Sequence, residues 1–487
     1  MVIRKPGKHA NAMMKFLLQD VLTGTGGVVR GSLDLDYRFT GLSRDSRAIT
    51  QGNLYWAITG ERLDGHRFVA DAAQAGAAAA VVSNPDLADV PSDFPILVVD
   101  DTTRALQRFA SWKRGKMQAQ VIGITGSVGK TSAKEAIAAV LAERASVYRS
   151  PGSYNNEVGL PLSILEADDH VDVMVLEMGG AYAFGEITEL AGIARPNVGV
   201  VTNVHPVHIE RMGSIEAVAE TKAELVEAIP PDGVVILNGD DARVRAMAAR
   251  ATCRVVTYGL GERSDVRATD VESDGLKGTS FWLHVDGQRN HIKIPLVGSH
   301  GVQIALGALA AGHVFNMHIA EMLVGLRNPG VQVRLVFARG PGGSQIIDDT
   351  YNASTPSVLA ALDVLLDVPA ARRIAVLGEM RELGSVSERE HRIVGRRAGD
   401  LVDVLYTYGA LAAPLAEAAK SVLRSGGKAL DVRAFDEDDR DALIEDLESE
   451  LDSGDVVLVK GSRGLVMEEI VAALRTDFGD RAMGARE

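Results

Sequence analysis

The sequence predicts an α/β protein of several domains built around a doubly wound parallel sheet. Three observations carry this. The chain has 487 residues, well beyond the roughly 100–200 residues that one domain usually takes. Continuous apolar runs recur as QVIGIT, VDVMVLEM, NVGVVTNV, DGVVILN and RVVTYG, the pattern of parallel strands buried on both faces. The segments between them, such as SAKEAIAAVLAER and IEAVAETKAELVEAI, repeat their apolar residues with helical period.

Composition narrows the partners. The chain is 46% hydrophobic and 24% charged, which is ordinary for a globular protein. Lys and Arg number 51 against 65 Asp and Glu, a net charge of −14. That balance argues against nucleic acid and anionic membranes as general partners. Aromatic residues are only 5%, too few for extended base-stacking surfaces. Cys253 stands alone, so no intrachain disulfide and no Cys-rich metal site can form. The apolar residues near the start are interrupted by Lys15, Gln19 and Asp20, unlike a secretory signal. No run approaches the ~18 apolar residues of a membrane span. A cytoplasmic protein without membrane insertion is expected.

Three blocks follow in order. In residues 1–110, LSRDSRAITQGNLYWAIT offers short strands, and DGHRFVADAAQAGAAAAVVS reads as a helix and then a buried strand. FPILVVDD is a further strand. The turn GTGG at 24–27 lacks the preceding apolar strand that a dinucleotide fingerprint needs. Residues 111–325 hold the strand–helix alternation described above. They end in a more polar stretch, GTSFWLHVDGQRNHIKIPL, which predicts a hairpin about Asp286-Gly287 and a small side sheet. A turn-rich junction at Arg327-Asn328-Pro329-Gly330 opens residues 326–487. Alternation resumes there through SQIIDDT, RIAVLGEM, VDVLYTYG, ALDVRAF and DVVLVKGS. The acidic segment DEDDRDALIEDLESELDSGD reads as a solvated helix, and the last residues, DFGDRAMGARE, as a frayed end.

The strongest local signal is VIGITGSVGKTSAKEAIAAVL. A strand ends at Thr125, a Gly-rich turn follows, and a helix starts at Lys130–Thr131. Backbone N–H groups of such a turn, with the helix N-terminus, cradle a phosphate. Gly126 and Gly129 keep Cβ atoms out of the tight wrap around Ser127 and Val128. Lys130 supplies positive charge to the terminal phosphates, and the Thr131 hydroxyl can ligate magnesium. Ser132 follows on the first turn. Ile124 stands where the longer form of the loop has its first glycine, so this loop is short. No NKxD sequence for reading guanine follows.

Accessory groups are placed by the strand ends. Glu177 closes VDVMVLEM at the carboxyl edge, where ligands of open sheets gather, and could bind magnesium. Asn203, His205 and His208 follow the strand VGVVTNV. Either histidine could coordinate a metal, and the residues alone leave that choice open. Lys222, taken alone, reads as an exposed lysine on a helix.

In order along the chain stand LSRDSR, DGHRFVADAAQAGA, GITGSVGKTSAKE, SYNNEVGLPLSIL, LEMGG, TNVHPVHIERMGSIEAVAETKAEL, NGDD, DDTYNASTPSVLAAL, AVLGEMRELG and VKGSR. This set resembles the Mur ligases of peptidoglycan synthesis across nearly the whole chain. The resemblance implies a three-domain architecture: an N-terminal unit for a UDP-linked substrate, a central P-loop ATPase-like unit and a C-terminal Rossmann-like unit. It implies ATP and Mg2+ as cofactors, an acyl-phosphate intermediate, and UDP-N-acetylmuramoyl-tripeptide and D-alanyl-D-alanine as partners of a monomeric enzyme. Asp45, Ser46 and Arg47 fall on the family's nucleotide-binding motif, and Asn155 and Asn156 on the segment beside phosphate and substrate. Asp349, Tyr351 and Asn352 fall on the C-terminal motif facing nucleotide and dipeptide. Lys130 would touch the transferred phosphoryl group. Thr131 and Glu177 would hold one magnesium and His208 a second, the family's pattern falling on Asn203, His208 and Glu210 and preferring His208 over His205. Lys222 matches a lysine that is carbamylated to N6-carboxylysine in several members, which would make it an anionic metal ligand.

Two departures stand out. Where the family carries asparagines that support the adenine, this chain has Gly301 and Ile304, so those side-chain amide bonds are lost. Where a Gly-Arg pair is usual, it reads Gly330-Val331, with Arg334 three residues on. These leave room for a related ligase with another amino-acid or carboxylate substrate, or for a nucleotide-sugar-binding relative that has lost catalysis.

Overall fold

The computed structural model describes residues 16–60, 63–181, 183–331, 336–423 and 430–476. Arg334 and the final segment DFGDRAMGARE lie outside them. Among the described residues no helix is long and apolar enough to cross a membrane.

The N-terminal unit is a five-stranded sheet in the order Val28–Arg30, Ile96–Val98, Ala79–Val82, Leu54–Trp56, Leu42–Ser43. Its first pair is antiparallel and the rest are parallel. The alanine-rich run forms the expected helix and then a buried strand. The helix Val69–Gln74 stops, Gly76 turns the chain, and Ala79–Val82 becomes a fully buried strand. Alanine favours helix by only a few tenths of a kcal/mol per residue over most side chains, less than burial between two faces supplies.

The central unit is a nine-stranded sheet. Its order is Val147–Arg149, Val173–Glu177, Gln120–Thr125, Val198–Val201, Val234–Asn238, Arg254–Gly259, Val266–Ser273, Thr279–Val285, Gln288–Ile294. The first seven run parallel. The predicted hairpin forms, with Val285 opposite Gln288. It makes no separate side sheet, because Thr279–Val285 pairs antiparallel with Val266–Ser273 and extends the main sheet. The reason lies in the edge: Val266 and Ala268 are buried, and an unpaired strand there would leave its backbone groups without partners.

Successive connections from Gln120–Thr125 lead to one side of that strand and then to the other, since Val173–Glu177 and Val198–Val201 flank it. Its carboxyl end is therefore a topological switch point, the place where open α/β sheets bind ligands. The helix Lys130–Ala142 starts there and packs under the long helix Gly298–Val314.

The C-terminal unit is a six-stranded sheet ordered Val336–Arg339, Gln345–Asp348, Asp455–Lys460, Arg372–Gly378, Val404–Tyr408, Asp431–Phe435. All pairs but the first are parallel. The acidic helix forms at Arg440–Glu450, with Leu443 and Leu447 buried and Asp441, Glu445 and Glu448 exposed. Its solvated face is only partial, because Asp446 and Glu450 turn toward the sheet and pair with Arg433 (2.6 and 2.9 Å).

One helix ties the first two units together. Thr102–Lys116 buries Leu106, Phe109 and Ala110 in a core shared by the N-terminal sheet and one face of the central sheet. Its basic end is also sunk in protein. Lys113 Nζ donates to the carbonyls of Leu165 and Ala167, at 2.8 and 2.6 Å, and the Arg114 guanidinium donates to those of Ala194, Met117 and Ala119.

Candidate active site

The phosphate loop is built by its neighbours as much as by its own residues. Gly126 has φ +140, and a Cβ there would lie 2.0 Å from Thr202 Oγ1, so no other residue fits. Gly129, at φ +81, caps the N-terminus of Lys130–Ala142. Asn203, from the adjacent strand end, brackets Val128 on both sides. Val128 N–H donates to Asn203 Oδ1 (2.8 Å), and Asn203 Nδ2 donates to the Val128 carbonyl (3.0 Å). Thr202 Oγ1 donates to that same carbonyl (2.8 Å). Ser127 N–H donates to the Asn203 carbonyl (3.0 Å), while Ser127 Oγ accepts from His205 N–H (2.9 Å). Lys130 Nζ folds back over the loop to the Gly126 carbonyl (2.8 Å). Ser132 is buried in the first helical turn.

Glu177 sits where the strand end predicts, only 2% exposed. Its carboxylate accepts from Thr131 Oγ1 (2.9 Å) and from Asn155 Nδ2 (2.8 Å). Asn156 instead caps the helix Gly159–Glu166 by accepting from Gly159 N–H (2.8 Å). Lys222 is not the exposed lysine that its helix alone suggests. It is 3% exposed and donates to the carbonyls of Gly179 (2.8 Å) and Gly180 (2.6 Å). Burial, reinforced by the charge of Lys130, pulls its amine down to about 7.

The two candidate histidines part company. His205 lines a cavity of about 450 Å3 with Asn203, Asp240, Tyr258 and Gln303. His208 lines two others: one of about 460 Å3 with Lys130, Thr131, Glu177 and Asn155, and one of about 200 Å3 with Asn155, Asn156 and Lys222. Burial holds both imidazoles below their ordinary value, against the opposing pull of Asp241 on His205 and Glu382 on His208.

The C-terminal unit supplies the far wall of the 460 Å3 cavity through Tyr351, Asn352, Arg381, Glu382, Ser462 and Arg463. Tyr351 OH meets Ser153 Oγ at 2.5 Å, across the two units. Asp349 is not with them. It lines a small apolar pocket of about 80 Å3 and pairs with buried Lys460 (2.6 Å), whose Nζ also donates to the Asn352 carbonyl (2.8 Å). Asp45, Ser46 and Arg47 belong to the N-terminal unit and line none of these cavities. Asp45 accepts from the Arg47 backbone and guanidinium, and those bonds hold its carboxyl at about 2. Their neighbour Arg44 lies over the Tyr154 ring at 5.9 Å, touching the SYNN segment.

The glycine at 301 has a steric cause. A Cβ there would stand 2.9 Å from Leu296 Cβ, so an asparagine cannot enter without moving that turn. An amide nevertheless reaches the 450 Å3 cavity from the same helix: Gln303 Nε2 donates to Asp240 Oδ2 (2.5 Å). Val331 lines the 80 Å3 pocket with Ile304. Sequence reasoning did not single out Gln303, Glu382, Lys460 or the bracketing role of Asn203. The segments LGEMRELG and VKGSR were the available signal for two of them.

The oxygen donors around Thr131 and Glu177 suit a hard cation. Among the described residues no group of three or more His, Cys, Asp or Glu could hold a metal by itself. That donor set fits magnesium, which usually takes one or two protein oxygens and completes its shell with phosphate and water.

Residues 38–114 match the Mur ligase family catalytic domain, 124–312 the Mur ligase middle domain, and 333–463 the Mur ligase glutamate ligase domain. The chain is 35% identical over 445 residues to the UDP-N-acetylmuramoyl-tripeptide–D-alanyl-D-alanine ligase of Bacillus subtilis, covering 89% of this chain and 93% of that one. It is 37% identical over 467 residues to the ligase of the same name from Mycobacterium tuberculosis H37Rv, covering 89% and 91%. Its structure superposes on MurF from Acinetobacter baumannii with a TM-score of 0.83 at 29% identity, covering 94% and 98% of the two chains. For the MurF ligase from Thermotoga maritima in complex with ADP the values are 0.75 and 29%, covering 89% and 96%. With the ordered motifs, the three sheets and these matches in agreement over almost its full length, the chain belongs to the Mur ligase family.

Proposed function

We propose that this protein is an ATP-dependent amide ligase that joins D-alanyl-D-alanine to UDP-N-acetylmuramoyl-tripeptide. The observation that carries the reading is the 460 Å3 cavity, walled by the phosphate loop on one side and by Tyr351, Asn352 and Arg463 on the other. Relatives bearing that activity in their names align over about nine-tenths of the chain.

In this reading residues 1–110 hold the uridine nucleotide through Asp45, Ser46 and Arg47. Residues 111–325 bind ATP on Gly126, Ser127, Val128, Gly129, Lys130, Thr131 and Ser132. Residues 326–487 close over the nucleotide, with Tyr351 and Asn352 toward the incoming dipeptide. Asp349 acts at one remove, by fixing Lys460 beneath Asn352. The substrate carboxylate attacks the γ-phosphorus of ATP, the bond to the β-phosphate oxygen breaks, and ADP leaves. The dipeptide amine then adds to the acyl-phosphate carbonyl, loses a proton, and expels phosphate as the amide forms. Loop N–H groups and Lys130 steady the charge on the transferring phosphoryl oxygens. The closed wall keeps water from the acyl-phosphate. Thr131 and Glu177 would hold one magnesium and His208, with carbamylated Lys222, a second. Bound there, magnesium neutralises phosphate charge.

Carbamylation needs a neutral amine to attack CO2, and the depressed Lys222 amine supports it. The carbamate keeps one N–H, enough for one of the two glycine carbonyls that the amine now serves. Lys222→Ala should lose most activity at bicarbonate levels that sustain the parent, whereas unchanged turnover would remove Lys222 from the site. The overall reading is tested by phosphate release and product mass. Phosphate should appear only when ATP, UDP-N-acetylmuramoyl-tripeptide and D-alanyl-D-alanine are all present. Absence of the amide product at saturating magnesium and bicarbonate would reject it.

A further inference from the structure

Glu382 is the residue that the function above leaves without a task. It belongs to the C-terminal unit, on the connection between the strand Arg372–Gly378 and the helix Ser387–Leu401. Its contacts lie on the central unit. Glu382 Oε2 meets His208 Nδ1 at 2.5 Å, Oε1 lies 3.7 Å from the Arg211 guanidinium, and its carbonyl accepts from Glu210 N–H (3.4 Å).

Two further observations make this junction more than a surface ion pair. His208 and Glu382 both have left-handed backbones, φ +56 and +64. Such angles are uncommon outside glycine and concentrate at functional positions. Two residues later, Gly384 has φ +52, and a Cβ there would stand 3.0 Å from Glu210 Cα. The connection thus comes down onto residues 208–211 at a point where a side chain would hold it off. Its base is also fixed: Met380 N–H donates to His391 Nε2 (2.9 Å), and Arg381 N–H to Ser462 Oγ (2.8 Å).

A carboxylate on Nδ1 sets the tautomer of a neutral imidazole with the proton on Nδ1, which leaves the Nε2 lone pair for a ligand. Partners of this kind orient metal-binding histidines and raise their basicity. Here that partner comes from a different unit than the histidine. We propose that Glu382 is a positioning residue, which fixes the imidazole of His208 only when the C-terminal unit has closed. Closure and readiness of His208 for a divalent cation are then a single event. The open molecule lacks this carboxylate and holds the cation weakly.

The proposal rests on the reading of His208 as a cation ligand, so the experiment separates the two. Mn2+ is titrated into the full-length protein with a non-hydrolysable ATP analogue, and bound and free ion are followed by electron paramagnetic resonance. Variants are compared at matched thermal midpoints. Glu382→Ala should weaken the looser Mn2+ equivalent by about 10-fold or more. Glu382→Gln, whose amide oxygen can still accept from Nδ1–H, should restore it to within about 3-fold. Adding Glu382→Ala to His208→Ala should weaken it no further. If His208→Ala binds Mn2+ as the parent does, the ligand reading fails and the proposal with it. If His208→Ala is impaired but Glu382→Ala is not, only the positioning role is overturned. A Gln variant no better than Ala overturns it equally. Gly384→Ala supplies an independent route: by keeping the connection off Glu210 it should reproduce the Glu382→Ala loss with the carboxylate intact, and parental binding by this variant would contradict the dependence on closure.

Discussion

Asn203 makes a cycle of two hydrogen bonds with a single loop residue, and this is where one side chain sets the shape of the phosphate cradle. Each such bond contributes about 0.5–1.5 kcal/mol, so Asn203→Ala should weaken ATP binding about 10-fold while the protein still folds. Isothermal titration with ATP measures this, and a parental Kd would mean that the loop holds itself. Lys130→Ala should abolish ATP-dependent phosphate release with a thermal midpoint within a few degrees of the parent, because the lysine is half-buried and its removal empties no core. At this scale the sequence was readable wherever a residue type is forced by chemistry. Gly126, Lys130, Thr131 and Glu177 declare themselves through the strand–turn–helix pattern and the strand end. Lys222 does not, since nothing in AVAETKAELVEAI tells which face of the helix meets Gly179 and Gly180. Gln303 was equally hidden: its spacing is ordinary, and only the folded helix shows its amide against Asp240.

Among the elements, the connection from strand Arg372–Gly378 to helix Ser387–Leu401 depends on one buried imidazole. His391 is fully buried, accepts from Met380 N–H at Nε2 and donates from Nδ1 to the Ser387 carbonyl (2.8 Å). Burial holds it below its ordinary value of 6.5, more strongly than the Ser387 carbonyl and the nearby glutamates raise it. The unfolded chain therefore binds the extra proton first. Stability should be flat above about pH 6.5 and fall as the pH drops below it, by at most about 1.4 kcal/mol per unit from this group. Urea unfolding at pH 5.5 and 7.5 measures the slope. His391→Gln should reduce it, leaving the share of His205 and His208, and an equal slope in the variant would place its origin elsewhere. The central strands of all three units followed from the sequence, because buried parallel strands write themselves as unbroken apolar runs. Val28–Arg30, Val147–Arg149, Val266–Ser273 and Val336–Arg339, short or partly exposed, carry no such run and were missed. The hairpin Thr279–Ile294 was legible as a hairpin but not as part of the main sheet. Its destination depends on which edge is open, a property of the assembled sheet. The alanine run is helix and then strand, as its sequence reads, with Gly76 at the turn and residues 79–82 buried in the sheet.

The three units of the whole molecule are not equally independent. Thr102–Lys116 contributes Leu106, Phe109 and Ala110 to one core shared by the first two sheets, while, among the described residues, the two cores of the C-terminal unit take from the central unit only Val297. Calorimetry should accordingly resolve one cooperative transition for residues 16–326 and a separable one for the remainder. A non-hydrolysable ATP analogue should draw the two together by bridging them. Three separate transitions would show that the shared core is too weak to couple its halves. The buried last turn of that helix, with Lys113 and Arg114 on carbonyls of the central unit, also carries a mechanical meaning. With the uridine nucleotide on Asp45, Ser46 and Arg47, as proposed above, they weld the support of one reactant to the support of the other, and the span to the phosphate loop works as a fixed ruler. On that proposal, a substrate whose stem is too short or too long for the ruler gains nothing from movement of the third unit.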